Sequence, residues 1–167
     1  MESMTSRQRV QMALNHQEPD RVPLDFATGG NSSPVPEFYQ KLSAHFGAPT
    51  PRLQFLPHYL RLVTVDESIL QQLHIDTRHI LMRPTVRGRR PSLLNDGFYD
   101  EWGVLWKEVN AGDVTYRELA ASPLADVALD DLSTYAWWPN AVDQDRTNGL
   151  RAEAERLHQQ TSYAIVG

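Results

Sequence analysis

Apolar residues change their spacing several times along this chain, and each change marks an element. In "TSRQRVQMALNH" they fall at Val10, Ala13 and Leu14, the stripe of a helix. Thr5 with Gln8 three residues on is a capping box, so the helix starts there. Val35, Phe38, Leu42 and Phe46 repeat the helical period, with Ser33 as the cap, Pro34 at the first position and Gly47 as the stop. Asp66 caps a short helix carrying Ile69, Leu70 and Leu73, and a last helix over 148–159 carries Leu150, Ala154 and Leu157.

Between the helices the runs are short and continuous. Val22–Phe26, Arg78–Met82 and Tyr163–Gly167 read as buried parallel strands. Near Tyr99 the pattern becomes alternation, with Trp102, Val104 and Trp106 on one face. "NAGD" then turns the chain and "VTYREL" alternates back, so a β-hairpin is expected over about 97–120. "RPTVRGRRPSLLNDG" reads as a long loop and "SPLADVALDDLSTYAWWPN" as an acidic connector. The order strand, helix, strand, helix, strand with an inserted hairpin predicts an α/β chain with about three parallel strands. Three strands cannot close a barrel. An apolar edge at Ala164–Gly167 predicts a second chain or self-association to cover it.

Composition removes several classes. With 167 residues, 41% of them hydrophobic, the chain can bury a core. A net charge of −5 argues against a nucleic-acid module, since "RPTVRGRR" is the one basic cluster and carries no aromatics. No apolar run approaches a membrane span, and "MESMTSRQRV" has no signal core, so a cytoplasmic location is expected. There is no cysteine, hence no disulfide and no thiolate metal site from this chain. His16, His45, His58, His74, His79 and His158 show no ligand spacing and read as surface or capping residues.

Three phrases carry a family resemblance, in order, over nearly the whole chain: "RQRVQMALNHQEPDRVPLDF", "VDESILQQLHIDTRHI", and "YDEWGVLWKE" with "SPLADVALDDLSTYAWWP". Together they resemble the N-terminal portion of the uroporphyrinogen decarboxylase superfamily, in the branch that includes corrinoid-linked methyltransferases. The resemblance implies part of a (β/α)₈ TIM-type barrel, with sites at the C-terminal ends of strands. It also implies a single incomplete domain over 1–167 that needs the second half of the barrel. Zinc or a corrinoid partner would enter only through ligands in that missing half; none comes from this chain.

Departures from the pattern shape the functional expectation. The decarboxylases resemble one another in an arginine-bearing loop after the first strand and an Asp after the second. Here the loop reads "DFATGGNSSP", and Arg83 falls at the second position. A site built to bind many carboxylates would lose its cations and invert its charge. The expectation is therefore methyl or group transfer, or bond cleavage, on a small carboxylated or methoxylated substrate. The alternative is a non-catalytic assembly subunit completing a partner's barrel. Candidate substrate-binding residues are Asp25, Gly29, Gly30, Asn31 and Ser32, beside Thr28, with Arg78 orienting the floor. Asp25 reads as a buried strand-end carboxylate, a ligand contact or a partner of Arg78. Asp20–Arg21 and Asp76–Arg78 read as structural ion pairs.

Overall fold

A computed structural model describes residues 4–26, 29, 32–48, 61–83, 92–94, 97–112, 114–135, 138 and 143–167. The chain divides into two compact units. One comprises Met1–Leu56, Leu62–Met82 and Asn148–Gly167; the other comprises Pro57–Arg61 and Arg83–Thr147.

The first unit holds helices α1 (Ser6–Leu14), α2 (Pro36–His45) and α3 (Glu67–Gln72) and strand β1 (Thr77–His79). Two C-terminal elements complete it, a helix over Leu150–Gln160 and a strand over Ala164–Val166. The two strands pair in parallel, Thr77 opposite Ala164 and His79 opposite Val166. The core is Tyr39, Val63, Val65, Ile69, Leu70 and Ile75, with Phe26, Leu42, Phe46 and Leu73 packed on it. The fully buried Tyr39 keeps its hydroxyl satisfied by donating to Asp66 Oδ2 at 2.6 Å.

Several expectations hold. The Thr5–Gln8 capping box is formed in both directions. Asp66 is the residue before α3, although its carboxylate accepts from Tyr39 rather than from its own helix. Gly47 follows α2 with φ 61°.

Others require correction. Val22–Phe26 is not a strand. Pro23 has no N–H, the Leu24 N–H goes to the Asp76 carboxylate at 2.8 Å, and Leu24 O accepts from Asp76 N. That leaves no ladder. The parallel sheet is therefore two-stranded, and the described residues form no closed barrel. The strand read at Arg78–Met82 is Thr77–His79, and that read at Tyr163–Gly167 is Ala164–Val166. α2 starts two residues later than expected, with Pro36 rather than Pro34 in its first turn, and buries Tyr39 and Ser43 while Phe38 is half exposed. On α1 the apolar stripe is only partly packed: Val10 and Ala13 are half-buried and Leu14 is exposed, while Arg9 is buried.

The second unit is an antiparallel sheet of β2 (Ser92–Leu94), β3 (Gly97–Tyr99), β4 (Leu105–Ala111) and β5 (Val114–Ala121), in that order. The expected hairpin is β4–β5, separate from the parallel pair. Its turn uses Gly112 at φ 63°, where any other residue is strained. β2 lies inside the stretch read as a loop; residues 84–91 and 95–96 of that stretch lie outside the described residues.

The alternation read from Tyr99 is also corrected, because 100–104 is a turn. Asp100 Oδ1 accepts the amides of Trp102 and Val104 at 2.9 Å each, and Oδ2 accepts the Trp106 indole at 2.8 Å. The acidic connector winds into a 3₁₀ turn at Leu129–Thr134, and a short helix, α4, follows at Gln144–Thr147. In order of sequence the C-terminal helix and strand of the first unit are then α5 and β6.

Candidate functional site

β1 has two ends with different chemistry. At its start sits Asp76, with a side chain fully shielded from solvent. It accepts from Arg9 Nη1 at 2.6 Å, Arg21 Nη1 at 2.7 Å, Arg21 Nη2 at 3.0 Å and the Leu24 amide. Arg9 also forks onto Asp20 at 2.5 and 2.7 Å. Burial pushes the Asp76 carboxyl up, but these donors together outweigh it and hold it below the usual range. Arg9 is correspondingly raised, most by its bond to Asp20. The expected pairs are thus re-partnered: Asp20 pairs with Arg9, and Asp76 with Arg9 and Arg21.

Arg7, two residues earlier, caps the other side of the unit. Its side chain donates to His158 O, Thr161 O and Tyr163 O at 3.1, 3.0 and 3.2 Å, satisfying carbonyls at the end of α5.

Arg78 is buried and does not reach Asp25. It forks onto Glu67 at 2.8 Å through Nε and Nη2, donates to Ile75 O and Thr77 O, and stacks over the Tyr163 ring at 3.7 Å. Strand alternation explains this. Thr77 and His79 share one face of β1 and Arg78 takes the other. The floor residue expected for the ligand is instead a structural cation.

The other end of β1 carries the candidate site. Asp25 Oδ1 accepts the Thr77 hydroxyl and lies 2.9 Å from His79 Nε2. Its side chain is 42% exposed, against 17% for His79. Burial pushes the Asp25 carboxyl up, but the hydrogen bonds from Thr77 and His79 outweigh it and hold it low. Gly29 is buried against the His79 ring, where an added Cβ would sit 2.6 Å from Cε1. Its carbonyl is taken by Ser33 Oγ at 2.6 Å and the Ser32 amide at 3.3 Å.

Asp25, Gly29 and Ser32 are therefore brought together, as expected, and Arg78 is not among them. Thr28, Gly30 and Asn31 lie outside the described residues. His79 and Thr77 were missed as site residues. The available signal was their i, i+2 spacing on a strand, which puts both on the face opposite Arg78. Among the described residues no three His, Asp or Glu side chains converge to hold a metal ion. None of the helices there is long and apolar enough to cross a membrane. In the second unit, Trp102 and Trp106 are structural contacts: Trp106 donates to Asp100, and Trp102 faces the Arg146 guanidinium at 5.4 Å.

No family model, no curated protein and no solved structure matches the chain.

Proposed function

We propose that this chain is the N-terminal part of a uroporphyrinogen-decarboxylase-like barrel enzyme, nearer the methyltransferase-type branch. Its reaction is group transfer or bond cleavage on a small carboxylated or methoxylated molecule. The observation that carries the reading is the Asp25–His79 pair at the C-terminal end of a parallel strand, while the ion-paired node around Asp76 sits at the start of that strand. In parallel α/β barrels the first position is where chemistry is done and the second is where stability is built.

The phrases behind the resemblance add support. Arg7, Arg9, Asp20, Arg21 and Asp76 come from two of them and meet in the bonds that tie α1 to β1 and to the end of α5. Asp100 and Trp102 come from the third and form one clamped turn. Residues chosen for a shared fold would be expected to hold that fold together.

The site argues for a small ligand. The cation at Arg78 is committed to Glu67, so uroporphyrinogen's many carboxylates would meet Asp25 without a compensating charge from it. The test is a binding screen of small carboxylates and methoxylated aromatics against the full chain, repeated with Asp25→Ala. Binding weakened at least about tenfold, equivalent to about 1.4 kcal/mol, with an unchanged urea midpoint is expected. Conversion of uroporphyrinogen to coproporphyrinogen, or binding indifferent to Asp25→Ala, overturns the reading.

A further inference from the structure

His79 ends β1 with one ring nitrogen committed. Nε2 lies 2.9 Å from Asp25 Oδ1, the oxygen that also accepts the Thr77 hydroxyl. Asp25 is held in its charged form by those donors. An ionised carboxylate can only accept, so the nitrogen facing it must carry the hydrogen. A neutral imidazole has one hydrogen, which leaves Nδ1 with a lone pair.

Among the described residues no group donates to Nδ1. Gly29 packs over the face of the ring beside Nδ1 and Cε1, where an added Cβ would overlap the imidazole. The Gly29 carbonyl is already used by Ser32 and Ser33, which fixes the loop at that distance. The glycine is what lets the loop lie this close to the ring.

We propose that His79 is the proton acceptor of this site, with Asp25 as the positioning residue that fixes its tautomer. The ligand is a small hydroxyl-bearing molecule, an alcohol or phenol. Its O–H donates to Nδ1; in reaction the proton moves from oxygen to Nδ1, leaving an oxyanion on the ligand and an imidazolium whose Nε2–H stays on Asp25. The proton returns to product or solvent, and no oxidant or reductant is needed. The presence of a ligand here rests on the functional reading above; the state of the ring does not.

The test is long-range ¹H–¹⁵N spectroscopy on the full chain labelled at histidine, above neutral pH. The His79 signals are assigned by their loss in His79→Gln, or by their displacement in Gly29→Ala should that variant fail to fold. The expected result is one tautomer, protonated at Nε2. Phenol moves the Nδ1 signal, and anisole, without a donor, does not. Asp25→Asn, whose amide can donate to Nε2, moves the hydrogen to Nδ1. His79→Gln weakens phenol binding about tenfold, the size of one hydrogen bond.

A wild-type ring protonated at Nδ1, an even mixture of tautomers, or equal responses to phenol and anisole, including none to either, overturns the proposal. Compounds that bind through Asp25 without affecting Nδ1 would sink this inference and leave the functional reading standing. A phenol-shifted Nδ1 in a chain that binds no carboxylated or methoxylated compound would do the reverse.

Discussion

Asp76 and Asp25 are two carboxylates serving the same short strand, and they differ in almost every respect that matters. Asp76 is fully shielded and meets two guanidinium groups and a backbone amide. Asp25 is nearly half exposed and meets a hydroxyl and an imidazole. A shielded charge with fixed cations is a structural joint, because removing one member leaves a buried charge short of a partner. An exposed charge beside a titratable ring loses little when removed, so its placement is better explained by what it does to the ring. Exposure and partner type separate the two roles where residue type does not.

The sharpest way to break that contrast is to substitute the two residues in parallel. Asp76→Ala removes the carboxylate shared by Arg9, Arg21 and the Leu24 amide, leaving Arg9 with its Asp20 fork, and should cost about 3–5 kcal/mol, the range for breaking a buried pair, enough to abolish a cooperative urea transition. Asp25→Ala should leave the urea midpoint nearly where it was. Equal losses in the two variants would erase the distinction and make Asp25 structural.

A smaller effect is expected at Glu67. Glu67→Gln removes the charge that Arg78 forks onto while Arg78 keeps its carbonyls and the Tyr163 ring. The loss should be about 1.5–3 kcal/mol, as for hydrogen bonds to a charged group, read from chemical denaturation. Loss of ligand binding without loss of stability in this variant would restore Arg78 to the site.

Acid titration sharpens the comparison without a substitution. Asp20, Asp25, Glu67 and Asp76 are all held below their ordinary range in the folded chain. Groups depressed in this way stabilise the fold fully above the unfolded carboxylate values, near about 4. That contribution is lost as pH falls through the lower folded values. The urea midpoint should therefore be flat down to about pH 5 and fall below about pH 4. Asp25→Ala should follow a similar curve, because the depressed Asp20, Glu67 and Asp76 remain. A midpoint that rises on acidification would contradict the assigned directions.

The smallest expected change is in the second unit. Glu108 and Arg117 stand directly opposite on β4 and β5 at 3.2 Å, with Glu108 half exposed. Glu108→Ala should cost about 0.2–1 kcal/mol, as for an exposed cross-strand pair. The Asp25–His79 geometry should not respond, and the His79 nitrogen shifts would report it if it did.

Local rules, legible in the chain itself, fixed a good part of this protein. The Thr5–Gln8 box needs only residues three apart, and Gly47 ends α2 because glycine enters the left-handed region at no steric cost. The β4–β5 hairpin follows from alternation about a turn, which is again a matter of neighbours. The candidate loop at Asp25, Gly29 and Ser32 was visible for the same reason: small residues after an apolar run mark a place where backbone can approach something closely. The partners of each charge were not visible. Arg9 looks like a surface residue on an amphipathic helix, and its burial depends on Asp76, sixty-seven positions away in the chain. Val22–Phe26 has the composition of a strand. It is denied a ladder by Pro23 and by one side-chain carboxylate that takes the amide a neighbouring strand would have used. Arg78 and His79 are adjacent in sequence, yet pleating sends one to Glu67 and the other to Asp25. Spacing and propensity act over a few residues and can be read in one dimension. Which donor meets which acceptor is settled only when distant segments pack, because that is where burial makes an unpaired charge too costly to keep.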